Sequence, residues 1–125
     1  MAHYRELRVW NKAMDLTAET YRVVSMLPKE EMYALSSQMR RAAVSVPSNI
    51  AEGAGRKSSR DFCHFLKIAY GSLNELETQL ILCCRLGYIE ESTIQYAMQL
   101  LSEIRRMLNA LIQKMSGQPL FPTDN

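Results

Sequence analysis

The chain has 125 residues, with 47% apolar and 22% charged side chains, the balance of a folded domain rather than a disordered segment. Its net charge of +2 is too small to argue alone for nucleic acid. No apolar run reaches the roughly 18 residues of a membrane span, and the opening MAHYRELRVW lacks an apolar signal segment, so one cytoplasmic domain is expected.

Helical periodicity runs throughout and strand signals are nearly absent. The first helix is predicted from Leu7 to Met26, with Val9, Trp10, Ala13, Leu16, Thr17, Thr20, Val24 and Leu27 toward the core and Pro28 ending it. Lys29-Glu30-Glu31 opens a second helix, its carboxylates favoured by the helix dipole. That helix runs to Ala54, with Gly55 as a left-handed cap. Ser58, three residues before Asp61, is the expected N-cap of a third helix reaching Leu86. Its core line is Phe62, Leu66, Ala69, Leu73, Leu76, Leu80 and Cys83, in alternating steps of four and three. A second line, Cys63, Tyr70, Glu77, Ile81 and Cys84, lies a quarter-turn away and is mostly apolar.

Gly87 stops the third helix, and Glu90, Glu91 and Ser92 supply the start of a fourth. Its core line is Ala97, Leu101, Ile104, Leu108, Leu111 and Met115, and Ser116-Gly117 ends it. Residues 1–116 are therefore an antiparallel up-down-up-down four-helix bundle, an all-α fold, and residues 117–125 are a tail.

The stretch RRAAVSVPSNIAEGAG, from Arg40 to Gly55, organises the rest. At helical spacing Leu35, Met39, Ala42, Val46, Asn49, Ile50 and Gly53 form a core stripe. The opposite side is not charged but reads Arg40, Val44, Pro47, Ala51. Such a side fits a helix covered by a second body. Val44, Pro47 and Ala51, with Tyr70 and Ile81 from the third helix, are the expected contacts with neighbouring subunits. Between the two sides runs a polar line of Arg41, Ser45, Ser48 and Glu52, joined by Asn49. Glu77 interrupts an apolar line and wants a cation, for which Arg41 is the candidate.

Pro47 removes one backbone bond, at roughly 3 kcal/mol. The chain could stop at Val46 and restart with Asn49 as N-cap and Glu52 three residues on. That restart is too short to be stable, so one kinked helix is preferred.

No catalytic set stands out. Glu75 and Glu77 point in different directions on a helix, there is no Ser/His/Asp set or glycine-rich phosphate loop, and Gly53-Ala54-Gly55 reads as a helix end. His64 has Lys67 and Ile68 where a metal site would need ligands. Cys63, Cys83 and Cys84 form no C-x-x-C pair and read as small hydrophobes in a reduced compartment. No enzyme, cofactor, metal or small-molecule substrate is expected. The charge is uneven, however. Arg40, Arg41, Arg56, Lys57 and Arg60 face only Glu52 between positions 40 and 60, a local +4 in a chain of net +2. Arg56, Lys57, Arg60 and Arg40 are the candidate phosphate contacts, with Arg41 committed to the polar line.

The runs RRAAVSVPSNIAEGAGR, SSRDFCHFLKIAYGSLNELETQL and LGYI resemble the bacterial four-helix-bundle family of 23S ribosomal RNA intervening-sequence proteins. The resemblance extends from Leu7 through the fourth helix and is densest between Gln38 and Ile89. Arg40, Arg41, Pro47, Asn49, Glu52 and Gly53 match its central motif, Arg56 the basic residue after the glycines, and Gly71, Ser72, Glu75, Leu76 and Glu77 its later one. Asp61, where glutamate is usual, and Cys83-Cys84 depart from it. The family is similar in turn to the accessory variability determinant protein of diversity-generating retroelements, which is more strongly basic. The resemblance implies a homopentamer without catalytic activity, and, through the retroelement relative, binding of nucleic acid and a reverse transcriptase by a basic surface.

Two functions are expected in consequence. The first is a ring-forming, non-enzymatic bundle that binds structured RNA or a ribonucleoprotein through basic corners. The second is a protein-only scaffold or adaptor.

Overall fold

Where the apolar residues recur every third and fourth position, the computed structural model, which describes residues 3–117, is helical. Its four α-helices are α1 (Arg8–Val24), α2 (Leu35–Ala54), α3 (Ser59–Arg85) and α4 (Gln95–Ser116), and no strand occurs among the described residues. Short 3-10 turns at Tyr4–Glu6, Lys29–Glu31 and Glu91–Ile94 accompany them. The expected tail, beyond Gly117, lies outside the described residues.

Each helix packs on two others, α1 on α2 and α4, and α3 on the same pair. Leu16, Met39, Ile50, Leu66, Leu73, Leu76, Leu80, Leu101, Ile104 and Leu108 fill the middle and are fully buried. Each such side chain contributes roughly 1.5–3 kcal/mol by leaving water. Every member of the α3 core line is buried. In α1 the phase is slightly different from that expected. Trp10, Thr17 and Leu27 are only half-buried, while Glu19 and Val23 are buried. In α4 the line drifts late to Ile112, leaving Leu111 and Met115 half-buried.

Two helix boundaries depart from expectation. Helix α2 starts at Leu35, not Lys29, because Ala34 (φ −118, ψ −104) breaks the helical path. The acidic turn still caps the helix from outside, since Leu35 N donates to Glu31 Oε1 at 3.3 Å. Gly55 is right-handed (φ −81) rather than left-handed. The left-handed glycines are Gly87 and Gly117. At Gly87 the amides of Gly87 and Tyr88 donate back to Cys84 O (3.0 Å) and Cys83 O (3.1 Å), the paired closure that favours glycine there.

Helix α2 is continuous through Pro47. A proline at 47 leaves the Ala43 carbonyl without its helical donor. Thr17 of α1 supplies one, its Oγ1 lying 3.0 Å from Ala43 O and 2.8 Å from Ala13 O. The single hydroxyl proton is shared between the two carbonyls. The interruption is therefore repaired by a neighbouring helix. Pro47 is buried within the chain itself, and the Tyr4–Glu6 turn packs on α2 as well as α1.

Candidate nucleic-acid interface

The connection from α2 to α3 is short because the helices nearly touch at their junction. A Cβ on Gly53 would lie 2.8 Å from Phe65 Cβ and 2.9 Å from Phe62 Cδ1, so only glycine allows the approach. Ser58 then caps α3, its Oγ accepting from Asp61 N at 3.1 Å, as expected. The cations of this loop are used unequally. Arg56 donates to Glu52 Oε2 at 2.9 Å and lies over the Phe65 ring, 4.9 Å from its centroid. Lys57 and Arg60 are exposed, and among the described residues no carboxylate pairs with them.

Arg60 continues into a line that the sequence reading missed. His64 and Lys67 follow it at steps of four and three on the outer side of α3. With Cys63 below and Met115 of α4 opposite, they line a groove of about 410 Å³. Asp61, the nearest acid in sequence, lies about 100° round the helix from Arg60. The spacing carries this signal, which a reading of His64 as a metal ligand passes over. No group of three metal-ligating side chains occurs among the described residues.

Arg40 does not join this cluster. Sixteen residues of helix separate it from Arg56, about 24 Å. Its Nη2 lies 3.4 Å from Met32 O, at the other end of the bundle.

The polar line forms only in its middle. Ser45 Oγ and Ser72 Oγ share a hydrogen bond at 2.8 Å, and Asn49 Nδ2 donates to Ser45 O (2.8 Å) and Ser45 Oγ (2.9 Å). Arg41 and Ser48 are exposed, and Glu52 turns to Arg56. The expected pairing of Glu77 with Arg41 is corrected. Arg105 of α4 takes Glu77 Oε1 at 2.8 Å and Asn74 Oδ1 at 3.0 Å. Both charged side chains are about a third exposed (32% and 28%), so the pair is worth at most about 1 kcal/mol. This is well short of the roughly 3 kcal/mol that a buried pair would imply.

Of the expected subunit contacts, Val44 and Ile81 are exposed and Ala51 is half-buried. Pro47 and Tyr70, by contrast, are already buried by the chain's own fold. Ile68, Leu82 and Leu86 add exposed apolar surface along α3.

The opposite end holds a larger groove, about 720 Å³, lined by Ile81, Cys84, Ile89, Ile94 and Met98 and rimmed by Arg85, Glu90 and Glu91. None of the cysteines is bridged. Burial pushes the Cys83 thiol up to about 11, helped by the neighbouring Cys84 and Glu31, and burial also raises Cys84. Raised in this way, the buried Cys83 thiol stays protonated at neutral pH and packs as a small apolar group.

The family pattern described as 23S rRNA-intervening sequence protein matches residues 5–110. A crystal structure of a protein of unknown function, from the S23 ribosomal protein family of Bacteroides thetaiotaomicron, is similar in fold. Its TM-score is 0.78 at 26% identity, over 84% of this chain and 98% of that one. No curated protein matches the chain.

Proposed function

We propose, from the premise that this chain belongs to the 23S rRNA-intervening sequence protein family, that it is a non-enzymatic cytoplasmic bundle binding structured RNA or a ribonucleoprotein, such as a reverse transcriptase complex, through its basic end. The observation that carries this reading is the state of Lys57, Arg60 and Lys67, exposed cations with no acidic partner among the described residues. Some cations of the fold are ion-paired, as at Lys12–Glu103 (3.0 Å) and Arg22–Glu19 (2.6 Å), whereas these three are gathered near one end and are not. A cation left in water is available to phosphate, whose condensed counterions it releases on binding.

The helices run antiparallel in this reading. Its support is the reversed order in which residues of α2 and α3 meet, Met39 with Cys83, Ser45 with Ser72 and Gly53 with Phe62. The subunits close into a homopentameric ring that repeats the cluster around one rim. Exposed Val44 and Ile81 and half-buried Ala51 support such contacts. Val44→Glu is expected to lower the particle mass in light scattering while keeping helicity. A parent particle of one subunit at micromolar concentration contradicts the ring.

The test of RNA binding is a salt titration by fluorescence anisotropy with unrelated structured RNAs. Each neutralised phosphate adds roughly 0.7–0.9 to the slope of log affinity against log salt, so binding is expected to be salt-steep and tolerant of sequence. No binding at low salt favours the second reading, a protein scaffold. The apolar groove at the opposite end is the observation on its side.

A further inference from the structure

The basic end carries a groove. Between the first turns of α3 and the last turn of α4 it is indented by the 410 Å³ groove, within the roughly 300–1,000 Å³ range of small-ligand sites. One wall is cationic, with Arg60 and Lys67 seven residues apart, about 10 Å along the helix, and His64 between them. The floor is the buried Cys63, and the facing wall is the half-buried Met115 with the exposed Ser116 beside it. A thioether is soft and adapts to flat rings. Charge on one wall and a thioether opposite match a molecule that is anionic on one side and a flat ring on the other.

We propose that this groove is a subsite for one unpaired nucleotide of an RNA strand, the phosphate held between Arg60 and Lys67 beside His64, and the base laid against Met115. The inference rests on the RNA-binding reading and specifies its substrate, single-stranded rather than fully paired RNA. A duplex turns its bases inward and offers the groove only phosphates, whereas an unpaired nucleotide offers both halves. Arg56 takes no part, because Glu52 and the Phe65 ring occupy its guanidinium.

The test compares a labelled oligouridylate with a blunt RNA duplex of equal phosphate count, at one salt concentration. The parent is expected to prefer the oligouridylate by about tenfold, the size of one base contact. The Arg60→Ala/Lys67→Ala variant is expected to lose about tenfold on the single strand and distinctly less on the duplex. Arg85→Ala, at the far end of α3, is expected to change neither. Equal losses on both probes overturn the subsite but leave the RNA-binding reading standing. If the parent binds neither probe, amide shifts on adding uridine 5′-monophosphate decide. Saturable shifts confined to residues 59–67 and 114–116 uphold the subsite although the wider reading has failed, and their absence overturns it.

Discussion

The two ends of the bundle are closed by short connections of opposite charge, and the fold uses that charge differently. At one end Lys29-Glu30-Glu31 and Glu90-Glu91 are mainly acidic, and several polar groups there are tied into the structure. Glu31 accepts from Leu35 N at 3.3 Å and from the Tyr88 hydroxyl at 2.7 Å, which joins two connections. Glu19 takes Arg22 at 3.0 and 2.6 Å, and the same guanidinium reaches Thr93 O at 3.3 Å. At the other end Arg56 is tied down, but Lys57, Arg60 and Lys67 are not. Charge that holds the fold together is unavailable to a partner. Charge left in water contributes little to stability and is free to bind.

The difference can be broken by substitution, beginning with the joint beneath the basic loop. Gly53→Val is expected to destabilise by about 3 kcal/mol in chemical denaturation, since its Cβ alone already meets Phe65 Cβ and the Phe62 ring, which cannot move away cheaply. A loss below about 0.5 kcal/mol would mean that α2 and α3 sit further apart.

Next in size is the repair at Pro47. Thr17→Val is expected to cost about 2 kcal/mol by leaving the Ala43 carbonyl without a donor. The same change made together with Pro47→Ala is expected to cost less, because alanine restores the backbone donor. Equal costs in both backgrounds would remove the proposed compensation.

A smaller effect belongs to the acidic end at high pH. The hydrogen bond to Glu31 raises the Tyr88 phenol, and burial raises Cys83 to about 11. Both groups hold their protons more tightly when folded. Their contribution is therefore complete below the unfolded values, roughly 8.5 for cysteine and 10 for tyrosine, and fades as pH rises through the folded ones. Denaturation midpoints are expected to fall above about pH 9, and Tyr88→Phe to flatten the upper part of that fall. A parent midpoint constant to pH 11 would contradict these shifts.

The smallest stability effect is expected where the effect on function is expected to be large. Lys57→Ala/Arg60→Ala should change stability by less than about 0.5 kcal/mol while weakening RNA binding and lowering its salt slope. A variant that unfolds easily would show that these cations serve the fold.

The pattern of success in the sequence follows from what each signal depends on. The α3 core line was legible because alternating steps of four and three place Phe62 to Cys83 on one side whatever the neighbours do. The Ser58 cap was legible for the same local reason. Partner choice was not, because it depends on how each helix is rotated against the next. Glu77 was assigned to Arg41 but meets Arg105, and Arg40 was grouped with Arg56 by nearness in sequence although a length of helix separates them. Pro47 looked like a subunit contact because apolar residues on an outer side resemble an interface. Its burial by the chain's own fold, and the threonine of α1 that meets the Ala43 carbonyl, are not foreseeable from α2 alone. In the candidate site, Lys57 and Arg60 are legible by charge, while the line that His64 and Lys67 continue is legible only when the loop and the helix after it are read together.

Photo-crosslinking of bound RNA, with the attached peptides identified by mass spectrometry, tests most directly the claim that the basic end is the binding surface. Crosslinks are expected within residues 56–67 and 114–117, and to disappear from the 56–67 segment in the Lys57→Ala/Arg60→Ala/Lys67→Ala variant. Crosslinks concentrated instead within residues 25–41 or 85–98 would contradict it, because RNA would then be held at the end whose connections are mainly acidic.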